Sequence, residues 1–84
     1  MRDAINIMIT GSQIRGARGM LRWSAQRLAE EAGLSLPTIQ RMETVEGVPK
    51  SLATNLQAVR AAFERAGLIF IDRDGGGPGV RLRE

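Results

Sequence analysis

Between Ser24 and Glu43 two short helices have to meet across a tight turn formed by Gly33, Leu34 and Ser35, and few folds satisfy that constraint. The stretch reads Ser-Ala-Gln-Arg-Leu-Ala-Glu-Glu-Ala-Gly-Leu-Ser-Leu-Pro-Thr-Ile-Gln-Arg-Met-Glu. Ser24 suits an N-cap, because its hydroxyl can accept from a backbone N–H of the first turn. Arg27 stands where a capping box would place Glu or Gln. Leu28, Ala29 and Ala32 recur on one side of the helix that follows, with Glu30 and Glu31 on the other. Gly33 ends it as a left-handed residue. Ser35 caps the next helix, and Pro37 falls in that helix's first turn, where a missing N–H costs nothing. Ile39 and Met42 face inward. Ala29 has to be small because the second helix crosses close to the first, and Leu28, Leu34 and Ile39 form a wedge that locks the crossing near a right angle. The opposite face of the second helix is then left to project outward, with dimensions that suit a DNA major groove about 12 Å wide.

The flanking segments read more simply. Ile5, Ile7 and Ile9 alternate with Asn6 and Met8, a period of two that predicts a short strand. Thr10, Gly11 and Ser12 then break the pattern and can cap a helix over residues 13–21, with Ile14, Ala17 and Leu21 inward. Gly16 and Gly19 weaken that helix by about 1 kcal/mol each relative to Ala, so it needs packing or a close backbone contact that only glycine permits. Residues 44–49 form a loop broken by Gly47 and Pro49. Ser51 is read as the cap of the clearest helix, whose stripe runs Leu52, Leu56, Val59, Phe63 and Ala66 until Gly67 stops it. Leu68, Ile69, Phe70 and Ile71 are followed by Gly75-Gly76-Gly77-Pro78-Gly79 and by Val80-Arg81-Leu82, a hairpin with a long loop. The expected fold is therefore mainly α, a four-helix bundle with a C-terminal β-hairpin. Residues 1–10 form an extension or strand, 11–66 the helical domain and 67–84 the tail.

Composition removes most enzyme classes. The chain has no cysteine and no histidine, which excludes a disulfide framework, thiolate metal sites and the commonest general base. The Ser, Asp and Glu residues form no recognisable catalytic frame, so neither an enzyme nor a cofactor is expected. The glycine run lacks the Lys-Ser/Thr ending of a phosphate loop and the helix of a dinucleotide fingerprint. Twelve basic against nine acidic residues give a net charge of +3, and eleven of the twelve are arginine. Arginine's planar fork suits phosphates and guanine edges, although a GC-rich coding bias would also enrich it. No stretch approaches the roughly 18 apolar residues of a membrane span, and the start lacks a signal peptide's apolar core, so a cytoplasmic location is expected.

With these caps and helices in place, residues 11–66 resemble the Cro/C1 repressor-type (XRE) helix-turn-helix family. Leu28-Ala29, Gly33, Ser35, Ile39 and Glu43 stand in its register. The tail is similar to that of short stand-alone bacterial regulators, and Met8-Ile9-Thr10-Gly11 resembles a family start, leaving Met1 or Met8 open as the first residue. The resemblance implies a sequence-specific DNA-binding transcriptional regulator without a separate effector domain, for which a dimeric repressor or autoregulator acting on an inverted repeat is the simplest expectation. It places Leu36, Pro37, Thr38 and Arg41 at base-reading positions, with Arg41 making a two-pronged contact to guanine. Ser24 and Gln26 would meet phosphate at the start of the second helix, joined by Gln40 and Lys50. Arg18 and Glu43 match a structural salt bridge. The chain departs from the family pattern at Ala25, where Gln is usual, at Arg22, where Gly is common, and at Glu46, an acid in a loop that should approach phosphates. Trp23 is expected in the core.

The partners expected are double-stranded DNA and a second copy of the chain, with no membrane and no indicated small-molecule effector. Leu68, Ile69, Phe70, Ile71, Val80 and Leu82 are the expected dimerisation residues, because both faces of the first hairpin strand are apolar. A different class of function on the same bundle is a protein-interaction module, an antitoxin or antiactivator. It would be favoured by a recognition face lacking Arg41 and its flanking phosphate contacts.

Overall fold

Thr10 opens the first helix with a reciprocal cap. Its hydroxyl accepts from the Gln13 N–H at 3.0 Å, and the Gln13 side-chain oxygen accepts from the Thr10 N–H at 2.9 Å. The helix thus begins at Gly11, two residues before the expected start. The computed structural model describes residues 9–71 and 76–83. Over these the chain is mainly helical: α1 Gly11–Leu21, α2 Ala25–Ala32, α3 Leu36–Met42 and α4 Ala53–Arg65 precede an antiparallel pair of strands, β1 Leu68–Ile71 and β2 Gly79–Leu82. The strand expected over residues 5–9 lies outside the described residues except for Ile9, which is buried without being part of a regular element. Among the described residues no helix is long and apolar enough to cross a membrane.

One core joins all of these elements. Ile14 and Ala17 of α1, Leu28 and Ala29 of α2, and Ile39 and Met42 of α3 meet Leu56, Val59, Ala62 and Phe63 of α4, with Leu68 and Phe70 of β1 closing one side. Trp23 is half-buried and stacks on Phe63 with ring centroids 5.7 Å apart.

Helix α4 corrects two expectations. Leu52 is 70% exposed rather than the head of the apolar stripe. It is the N-cap, with an extended backbone, so its side chain leaves the helical face that Leu56 and Val59 follow. Ser51 does not cap this helix either. No side chain caps it, and the exposed first turn at Ala53 and Thr54 leaves its free N–H groups to solvent. The close approach anticipated at Gly16 or Gly19 occurs at Gly11 instead. A Cβ there would lie 2.0 Å from the Val45 carbonyl oxygen, whereas at Gly16 the nearest atom is a Val80 methyl at 3.8 Å.

In the hairpin, Leu68 pairs with Leu82, Ile69 with Arg81, Phe70 with Val80 and Ile71 with Gly79. The strand's period of two sends Leu68 and Phe70 into the core and leaves Ile69 and Ile71 half-buried on the outer face. Leu68 and Phe70 therefore belong to the monomer's own core and are not available to a second subunit. The side chain of Gln13 donates to the Gly79 carbonyl at 2.8 Å and the Ile71 carbonyl at 3.5 Å, which holds the mouth of the hairpin against α1.

Candidate nucleic-acid interface

The α2–α3 unit is built by its caps. Ser24 Oγ accepts from the Arg27 N–H at 3.0 Å, and Ser35 Oγ accepts from the Thr38 N–H at 3.3 Å. Between them Gly33 takes φ 71°, and its N–H reaches back to the carbonyls of Ala29 and Glu30. The Leu34 N–H also bonds the Ala29 carbonyl, at 2.9 Å, so the orphan carbonyls of α2 are satisfied as the chain turns. Ile39 and Met42 are fully buried, which fixes the face of α3 turned toward solvent.

That outer face carries Pro37, Gln40 and Arg41 exposed, with Leu36 and Thr38 half-buried. An open cleft of about 430 Å³ runs between it and the start of α4, lined by Thr38, Arg41, Lys50, Ser51, Leu52 and Asn55. Arg41 and Lys50, nine residues apart in sequence, are thus brought to one groove. Ser24, Gln26, Gln40, Leu36 and Pro37 are not among its lining residues. Ser24 and Gln26 are exposed at the start of α2, where Gln26 Nε2 donates to Glu30 at 3.1 Å. Ser51 and Asn55 had no assigned role at the site. Asn55 could have been noticed as the polar neighbour of Leu56 in the turn that follows Lys50.

Charge is distributed unevenly over this surface. Carboxylates hold Arg15, Arg18, Arg27 and Arg60. Among the described residues, Arg41 and Lys50 form no salt bridge, and no carboxylate lines their cleft. Their charge remains available to an anion. Glu46, the acid that would oppose phosphate, is turned toward α1 instead. It accepts from the Ser12 hydroxyl at 2.7 Å and meets Arg15 at 3.3 Å. The Ser12 hydrogen bond, followed by the charge of Arg15, holds its carboxyl below the usual range.

Two arginines of α1 grip the exit of α3. Arg18 forms a two-pronged pair with Glu43, at 2.7 and 2.9 Å, and also donates to the Trp23 carbonyl at 2.9 Å. Hydrogen bonding to Glu43 raises the Arg18 pKa, so the guanidinium stays charged. Arg15, which sequence reasoning passed over, donates to the backbone carbonyls of Glu43 and Val45. Its signal was its spacing of one helical turn from Arg18, but its acceptors are backbone atoms that no residue pattern announces.

No family model matches this chain, and no curated protein matches it.

The geometry of the Arg18–Glu43 pair sets the cost of breaking it. A fully buried pair that loses one partner costs about 3–5 kcal/mol. Here the side chains retain 26% and 11% exposure, and Arg18 keeps the Trp23 carbonyl. Glu43→Ala is therefore expected to cost about 2–3 kcal/mol, because water reaches the stranded charge. Thermal melting should fall by roughly 8–25 °C. A shift within a degree of wild type would show that the pair contributes nothing net.

Proposed function

We propose that this chain is a sequence-specific DNA-binding transcriptional regulator of the Cro/C1 repressor type, acting as a homodimeric repressor or autoregulator on an inverted-repeat operator. The observation that carries the reading is the placement of Arg41 and Lys50, which form no salt bridge among the described residues, on one cleft beside the outward face of α3. In this reading α3 enters the major groove. Arg41 reads guanine, while Leu36 and Pro37 meet thymine methyls and Thr38 lies beside Arg41. Lys50, Ser24, Gln26 and Gln40 contact phosphates and set the register.

Selection from a random duplex library tests it. Enrichment of an inverted repeat is expected, and Lys50→Ala should retain the selected sequence while binding more weakly to every duplex. Its salt dependence should be shallower by about one unit of slope, as one lost phosphate contact requires. Absence of any enriched sequence would overturn the reading. A second reading, a protein-interaction module, has its own support in the exposed Val45, Val48 and Leu52 beside the cleft. It predicts no enrichment and loss of partner binding on substitution of those three.

Val80 and Leu82 oppose Phe70 and Leu68 and so share the inner face, where Val80 packs on the core. For the dimer, the remaining candidates are Ile69 and Ile71 on the outer face of the hairpin. Pairing this face with its copy would cover apolar surface and an open sheet edge together. It would also set two recognition helices to reach successive major grooves, about one helical turn apart. Ile69→Lys should give a monomer in sedimentation velocity without loss of helicity. A variant that remains dimeric would place the interface elsewhere.

A further inference from the structure

We propose that Thr38 acts as a positioning residue for Arg41: its hydroxyl tethers the guanidinium, so that the base preference credited to Arg41 depends on the pair. The inference rests on the DNA-binding reading above.

The contacts form a short chain along the outer face of α3. The Ser35 and Thr38 hydroxyl oxygens lie 2.8 Å apart, and Arg41 Nη2 approaches Thr38 Oγ1 at 3.4 Å. A hydroxyl has one proton and two lone pairs, whereas a guanidinium can only donate. Whichever hydroxyl donates in the Ser35–Thr38 bond, Thr38 Oγ1 keeps a lone pair for Arg41. Ser35 is itself held as the N-cap by the Thr38 N–H, so the chain is anchored at the helix backbone.

The tether occupies one of the two protons on Nη2. The second Nη2 proton and those on Nη1 and Nε remain, enough for the two parallel bonds to O6 and N7 of guanine. Because no carboxylate among the described residues lines the cleft, none of these competes for the guanidinium. An exposed arginine otherwise samples many staggered side-chain conformers. Untethered, it would still meet phosphates and wrong bases, and therefore lose discrimination more than overall attraction. Thr38 thus bears on specificity without forming the base contact.

The test uses the full chain and the duplex obtained by selection, with every base pair of one half-site substituted in turn. Thr38→Val conserves shape and β-branching, and it retains the backbone N–H that bonds Ser35, so folding and melting should be unchanged. Arg41→Ala should erase a preference of roughly 5- to 150-fold at one base pair, the usual range for a bidentate guanine contact. Thr38→Val should lower the preference at that same base pair several-fold, leaving affinity for random DNA within about twofold of wild type. Thr38→Ser should restore it. In the Arg41→Ala background, Thr38→Val should change nothing at that position, which is the non-additivity expected of two residues acting as a unit. An equal loss on all sequences, a lost preference at a different base pair, or simple additivity would overturn the proposal and leave the DNA-binding reading standing. If selection enriches no sequence, both fall.

Discussion

Gly11→Ala is expected to lower the melting temperature by roughly 12–25 °C, the equivalent of about 3 kcal/mol in a domain of this size. The first residue of α1 lies directly against the loop that leaves α3. Its N–H donates to the Gly47 carbonyl at 2.8 Å, and an added Cβ would fall 2.0 Å from the Val45 oxygen and 2.8 Å from the Met42 oxygen. Both obstacles are backbone atoms, so no side-chain rotation can relieve them. The loop would have to move, carrying Arg15's carbonyl acceptors with it. Gly16→Ala provides the contrast. Its Cβ would make an ordinary contact at 3.8 Å with a Val80 methyl, and the usual helix propensity gain of about 1 kcal/mol should then appear as a rise in melting temperature. Equal melting of wild type and Gly11→Ala would show that the loop adapts freely.

Phe63→Ala is expected to cost about 3–5 kcal/mol, the range for deleting a fully buried aromatic side chain. Phe63 has no exposed surface and is the largest of the fully buried side chains. Its ring lies 5.7 Å from that of Trp23 and 5.9 Å from that of Phe70. It therefore joins the turn before α2 to the hairpin through α4. Because Trp23 is the only tryptophan, its fluorescence reports this stack directly. Urea titration should show a lowered midpoint and a red-shifted native emission. Phe63→Leu, which preserves most of the volume, should lose less than about 1.5 kcal/mol. Similar losses for Leu and Ala would mean that ring geometry, rather than filled volume, holds the core.

The helical part of the fold was legible because its signals are local. Ser24, Gly33 and Ser35 occupy cap and turn positions that few other residue types fill, and the inward residues of α2 and α3 follow from helical spacing. The pairing of Arg18 with Glu43 came instead from family resemblance, and the two side chains do meet. Ser51 and Leu52 were misread because either Ser51 or Leu52 can begin α4, and the one-residue difference decides whether Leu52 lies on the helix face or outside it. The hairpin was ambiguous for a related reason. Four consecutive apolar residues do not say which alternate pair faces inward, and only docking on α4 selects Leu68 and Phe70. At the candidate site, Arg41 and Lys50 were chosen as single residues. Asn55 and Ser51 complete their cleft only once α4 is placed beside α3, and Arg15 finds its acceptors only when α1 meets the end of α3.

Gln13 bears on how the domain loosens. One side chain, 5% exposed, accepts at the entry to α1 and donates to the hairpin's mouth. Opening either contact strands a buried amide group, so each contact raises the cost of losing the other. The outermost segments of small domains commonly fray independently of the centre. Here the entry to the first helix and the strands that follow the last helix are fastened by the same amide. They are therefore expected to open together, as a single cooperative unit, rather than peeling away one at a time.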